Sequence, residues 1–175
     1  MHVLYVTTTF PPENGWGGIG TYVYHIAQGM IAQGHRVTVL CGLGKQSSDR
    51  QDGPLRVVRR IVTEGRSGGD IRNQIAQLTS QLTRESEIAV VEFPEFAALG
   101  LEFQRQFPDY PSVVRFHGGT ALCAWAAASP FKRLARRVYP SRAVQELDKL
   151  EQESMSRAHL VTSCSRAAVE RYKLD

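Results

Sequence analysis

The sequence predicts a doubly wound α/β domain, with a mainly parallel sheet and helices on both faces. Three observations carry this. Short apolar runs rich in β-formers recur along all 175 residues. Between them lie segments whose apolar residues repeat at the helical period of 3.6. The first such unit (strand, glycine-rich loop, helix, strand) closes within about 40 residues, which is a βαβ unit with parallel strands.

Taken in order, Val3 to Val6 is a short apolar run ended by Thr7-Thr8-Thr9, and it reads as a buried strand. Two prolines and three glycines between Phe10 and Gly18 forbid regular structure there. Ile19, Val23, Ile26, Ala27, Met30 and Ile31 then line one face of a helix, and Gly34 stands where a C-terminal cap belongs. Arg36 to Cys41 is the second strand. Leu55 to Val62 is a third, and its arginines Arg56, Arg59 and Arg60 suggest an edge or partly exposed position. Asp70 to Arg84 is an amphipathic helix with Ile71, Ile75, Leu78 and Leu82 on its apolar face. Ile88 to Val91 reads as a strand, Glu95 to Phe107 as a helix closed by Pro108, and Ser112 to Phe116 as a strand ending at His117-Gly118-Gly119. Ala121 to Arg157 has no clear strand and predicts helical packing outside the sheet. Leu160 to Thr162 is the last strand, and Ser165 opens a final helix. Ser47 to Gly53 and Glu64 to Gly69 read as polar loops.

Composition narrows the class. The apolar fraction of 42% and charged fraction of 22% are those of a globular domain, not a disordered chain. The formal charge of +4 permits attraction to anions without selecting one. Cys41, Cys123 and Cys164 are scattered, with no C-x-x-C pair, and read as free thiols of a reducing cytoplasm. The opening residues show no signal-peptide pattern, and no apolar run approaches the roughly 20 residues of a membrane span. Phe131, Leu134, Ala135 and Val138 lie at helical spacing, with Lys132, Arg133, Arg136 and Arg137 on the other face. Such a helix either rests on an anionic membrane surface or packs on the core with a solvated basic face.

In open α/β sheets, ligands bind at the carboxyl ends of the strands. That selects the loop Thr9–Gly18, the turn Glu92–Glu95, the turn His117–Thr120 and the turn Ser163–Ser165. Gly15-Trp16-Gly17-Gly18-Ile19-Gly20 satisfies G-x-G-x-x-G. Two features weigh against a dinucleotide fingerprint. The first glycine lies well beyond the strand, and the second strand ends at Cys41-Gly42 without the acidic residue that would hold a ribose. The glycines still bare N–H groups at a helix N-terminus, where an anion such as phosphate is favoured; the alternative is a loop that merely needs small residues. His117 ends a strand and precedes two glycines, a placement from which an imidazole would point into the crevice and donate a hydrogen bond or exchange a proton near neutral pH; the alternative is a histidine satisfied by the local backbone. Glu92 and Glu95 are candidates for sugar hydroxyls, although Glu95 would equally serve as the N-terminal charge of a helix.

Val3 through Pro12 and Gly17-Gly18-Ile19-Gly20-Thr21-Tyr22 resemble the first motif of glycosyltransferase family 4. Gly34 to Val39 is similar to that family's second strand and the turn before it. Glu92-Phe93-Pro94-Glu95-Phe96, Val114-Arg115-Phe116-His117-Gly118 and Thr162-Ser163-Cys164-Ser165 follow in the family's order. The resemblance spans nearly the whole chain. It implies the N-terminal, acceptor-side Rossmann-like domain of a GT-B enzyme over residues 1–175, with the C-terminal donor-binding domain absent from this chain. It further implies retaining, metal-independent transfer in the cytoplasm from a UDP-, GDP- or ADP-sugar, with the nucleotide-sugar as substrate and no cofactor. By position, Gly17 and Gly18 would approach the donor phosphates and His117 the transferred sugar, as the catalytic contact. Trp16 and Glu95 are acceptor or sugar candidates, with Ser163 and Ser165 on a cleft-edge turn. Partners would be the donor, a sugar or lipid-linked acceptor, the missing domain, and a membrane face reached through Phe131, Lys132, Arg133, Arg136 and Arg137. The chain alone would then be inactive; the alternative is a non-catalytic sugar- or nucleotide-binding module.

Overall fold

The computed structural model describes residues 1–12, 17–62, 68–126, 131, 141–166 and 170. Its strands are β1 (His2–Thr7), β2 (Arg36–Cys41), β3 (Leu43–Asp52), β4 (Leu55–Ile61), β5 (Val90–Pro94), β6 (Ser112–Phe116) and β7 (Leu160–Ser163). Its helices are α1 (Gly18–Ala32), α2 (Gly68–Glu85), α3 (Leu101–Gln106), α4 (Thr120–Ala126) and α5 (Arg142–Arg157), with a 3₁₀ turn at Phe96–Ala98. They build one seven-stranded sheet in the order β3-β4-β2-β1-β5-β6-β7. All neighbours are parallel except β3 and β4. This is the expected doubly wound α/β fold. The order reverses between β1 and β5: the chain leaves β1 towards β2 on one side and returns through α2 to β5 on the other. That reversal opens a crevice at the carboxyl ends of those two strands.

The alternation of each strand divides the core in two. Val3, Tyr5, Val37 and Val39 meet Val23 and Ala27 of α1 on one face. Leu4, Val6, Leu40 and Phe93 meet Ile75 of α2 and Phe103 of α3 on the other. Met155 of α5 continues that second layer beneath Val114 and Phe116. Helix α1 ends as its sequence predicts. Gly34 adopts φ 80°, its N–H donates to the Ile31 carbonyl at 2.9 Å, and His35 N–H donates to Met30 at 3.1 Å. These are the paired bonds of a Schellman cap.

Four sequence expectations need correction. Ser47 to Gly53 is not a loop: only Gly53 lies in the turn, and Ser47 to Asp52 belong to β3, which pairs antiparallel with β4. Its residues from Gln46 to Asp52 are all polar, so no apolar alternation announced it, and such a polar edge resists pairing with other chains. With β3 outside it, β4 is not the edge, and Arg59 is only 5% exposed. The Arg59 guanidinium lies over the Phe10 ring. Third, the strand read at Ile88–Val91 runs instead from Val90 to Pro94, so Glu92 is a strand residue rather than part of a turn. Fourth, the helix read from Glu95 to Phe107 is broken. Ala97 and Ala98 have φ of 57° and 51°, a left-handed conformation that costs a non-glycine residue about 1 kcal/mol or more. A local bond from Ala98 N–H to the Glu95 carbonyl at 2.9 Å and tertiary contacts hold it. The final helix from Ser165 lies mostly outside the described residues.

Candidate functional site

The site forms where α1 starts and where β5, β6 and β7 end. Gly17 is the N-cap of α1, extended at φ −85° and ψ 160°, and its carbonyl accepts from Thr21 N–H at 2.8 Å. The first turn of α1 carries no acidic residue, so nothing there opposes an anion at the N–H groups. Among the described residues, a methyl built on Gly18 would meet no atom within 4 Å, whereas one on Gly20 would come to 2.7 Å from the Thr9 carbonyl oxygen. The glycines therefore divide by use: Gly20 lets α1 approach the loop after β1, and Gly18 leaves open space over the helix start.

One turn along α1, Tyr22 faces His117. Their rings are 5.1 Å apart, edge to face at 73°. Tyr22 donates its hydroxyl to Glu92 Oε1 at 3.0 Å, and the Arg115 guanidinium lies 4.7 Å from the Tyr22 ring centroid. Adjacent strands supply Glu92 and Arg115, on the same side of the sheet as α1. Burial holds the His117 pKa below its usual value; Glu95 opposes this and Arg115 adds to it. The imidazole is therefore neutral at pH 7, with one N–H to donate and one lone pair to accept. Burial and the Glu92 carboxylate push the Tyr22 phenol far above its ordinary pKa, so it remains a donor.

Burial also raises the Glu92 pKa, with the Tyr22 hydroxyl and Arg115 acting against it. A carboxyl raised in the folded state favours folding most when protonated. Its contribution is fully present below the ordinary value of 4.5 and is lost as pH rises through the folded value. Glu92→Gln keeps an acceptor for Tyr22 and removes the buried charge. The variant is expected to melt at or above the wild-type temperature at pH 7, with the gap closing below pH 4.5; a clear loss at pH 7 would contradict this account.

Glu95 lies 2% exposed at the end of β5. Its Oε1 accepts from Gly118 N–H at 2.9 Å and Gly119 N–H at 2.8 Å, so it grips the turn after His117 from inside. Sequence reading missed its companion, Glu151 of α5, also 2% exposed. Glu151 Oε2 accepts from Thr120 N–H at 2.9 Å, and its Oε1 accepts from Ala97 N–H at 3.1 Å and from the Thr120 hydroxyl. No local signal marked Glu151, because it lies in a charged amphipathic helix far along the chain. Ser163 stands in register beside Phe116, on the strand next to His117. Its hydroxyl and Ser165 close a small turn on each other, with both bonds at 3.3 Å. Trp16 and Lys132 to Arg137 lie outside the described residues; Phe131 is 82% exposed. Among the described residues, no helix is long and apolar enough to cross a membrane.

The switch point of this doubly wound sheet thus places a glycine-led helix and a strand-end histidine at the same end of the sheet, joined through Tyr22. Residues 16–174 match Glycosyltransferase Family 4, and the chain belongs to that family. No curated protein is significantly similar in sequence. Among solved structures, the chain is similar to a UGT transferase from Siraitia grosvenorii in complex with UDP, at TM-score 0.56 and 13% identity, over 98% of this chain and 43% of that one. It is equally similar to an E. coli protein described as trehalose-6-phosphate bound with UDP-2-fluoro glucose, at TM-score 0.56 and 10% identity, over 99% and 42%. A dTDP-glucose 4,6-dehydratase from Bacillus anthracis in complex with NAD follows at TM-score 0.52 and 11% identity, over 95% and 55%. Identities this low establish the fold alone. The chain spans less than half the length of the first two.

Proposed function

We propose that this chain is the acceptor-side half of a retaining glycosyltransferase, which moves a sugar from a nucleotide-sugar donor to an acceptor hydroxyl and needs a second, donor-binding domain to do so. The observation that carries the reading is the meeting of α1 with His117: a helix start with open space over Gly18 lies one turn from a neutral imidazole at 5.1 Å from Tyr22. The two neighbours solved with UDP and UDP-2-fluoro glucose make UDP-sugars the first donors to test, ahead of GDP- and ADP-sugars.

In this reading the acceptor hydroxyl attacks the anomeric carbon from the side on which the diphosphate leaves. Charge then builds on the leaving phosphate. The N–H groups at Gly17 and Gly18, with the positive end of α1, would offset it. Neutral His117 orients the transferred sugar through a hydroxyl, and no protein nucleophile is required. A lipid-linked acceptor, approached through the basic segment at 131–137 from the cytoplasmic face of a membrane, belongs to the same proposal. The test is donor binding and transfer by this chain beside the same chain continued by one further domain, with the anomeric configuration of the product read by NMR. A non-catalytic binding module would bind without transferring at either length.

A further inference from the structure

Three consecutive backbone N–H groups, at Gly118, Gly119 and Thr120, follow His117, and all of them end on buried carboxylates. Successive N–H groups of a glycine turn make a concavity that attracts anions. Here the protein fills it with its own side chains: Glu95 from the end of β5 and Glu151 from α5. The same Glu151 receives the N–H of Ala97, the first of the two alanines held in a left-handed conformation just beyond Glu95 and Phe96. Gly119 itself has φ 70°, which a side chain would strain. Two separate pieces of chain, the segment after β5 and helix α5, thus converge on one turn. Burying two carboxylates is costly unless each is well hydrogen-bonded, and each here accepts at least two bonds from groups on or beside the turn.

We propose that Glu95 and Glu151 form a two-carboxylate clamp that fixes the turn after His117 and so positions the imidazole for the transferred sugar. This rests on the reading of His117 given above. Both are positioning residues, not catalytic ones, because neither touches a reacting atom. The two grips differ in a way that substitution exposes. Both donors to Glu95 meet the same oxygen, Oε1, while Oε2 is buried with no partner. A glutamine at 95 therefore keeps both bonds through its carbonyl. Glu151 uses both oxygens as acceptors, so a glutamine at 151 must turn an amide N–H₂ against a donor.

The experiment measures amide exchange at Gly118, Gly119 and Thr120 and the titration of the His117 ring by NMR, in the 175-residue protein, for Glu95→Gln, Glu95→Ala and Glu151→Gln. The alanine variant is expected to speed exchange at Gly118 and Gly119 by about tenfold or more, the factor expected for a lost charge-assisted bond. Glu95→Gln keeps those amides protected while the His117 titration moves to lower pH, because the charge that opposed burial is gone. Glu151→Gln speeds exchange at Thr120. Unchanged exchange in both Glu95→Ala and Glu151→Gln would overturn the clamp, and so would a His117 titration that does not move in Glu95→Gln. Transfer by the two-domain protein separates the clamp from the site reading. A turn that loosens in Glu95→Ala with kcat unchanged overturns the positioning role, whereas kcat falling several-fold with donor KM steady, and rescued by Glu95→Gln, supports it. The His117→Ala variant decides the site reading by itself.

Discussion

Replacing His117 by alanine is expected to lower transfer turnover by about a hundredfold or more, the usual cost of removing one preorganised polar contact at a reacting centre. The fold should survive. The ring is only partly buried, and the contact it gives up is one edge-to-face pair with Tyr22 at 5.1 Å, worth about 1 kcal/mol. That corresponds to a few degrees in melting temperature. Burial keeps the imidazole neutral, so the loss should be nearly constant from pH 7 upward. Turnover within twofold of wild type, measured in the protein carrying both domains, would remove His117 from the site.

The second large effect separates two glycines that stand two residues apart. A methyl at position 20 would press to 2.6 Å from Thr9 Oγ1 and 2.7 Å from Thr9 O. The side-chain atom can swing away, but the carbonyl cannot. Gly20→Ala should therefore cost about 1–3 kcal/mol as overpacking and lower the melting temperature by several degrees. A methyl at position 18 meets nothing within 4 Å among the described residues, and alanine is the better helix former. Gly18→Ala should thus leave the melting temperature equal or slightly raised, yet weaken donor binding by about tenfold or more. In the proposed site, the methyl would fill the space from which a phosphate would reach the N-terminal N–H groups. Equal melting temperatures for the two variants would contradict the packing account. Unchanged donor binding in Gly18→Ala would contradict the phosphate role.

The contrast between these glycines also shows how far the sequence could be read. G-x-G-x-x-G and the strand before it were visible locally, as were His117 and the two glycines after it, because turn chemistry and periodicity are local signals. What Gly20 is for was not visible, since it depends on where Thr9 lies. The same limit hid β3, whose polar run gains strand geometry only by pairing with β4, where Arg56 forks onto Asp49 at 3.0 and 2.8 Å. It hid the break at Ala97 and Ala98 as well. Alanine is the strongest helix former, and part of what holds it otherwise is Glu151, 54 positions away from Ala97. Glu95 was found as a candidate through its place at a strand end. Its direction, inward onto Gly118 and Gly119 rather than outward, came from the assembled turn.

The measurement that tests the central claim most directly is calorimetric titration of UDP-, GDP- and ADP-sugars into the 175-residue chain, beside the same chain continued by roughly 200 residues, the length of one further domain. The account predicts binding and transfer only in the longer protein, because Gly17, Gly18 and His117 would supply one wall of a cleft and a further domain the wall that grips the donor. Tight nucleotide-sugar binding by the 175-residue chain alone would contradict it, placing the donor site within this domain.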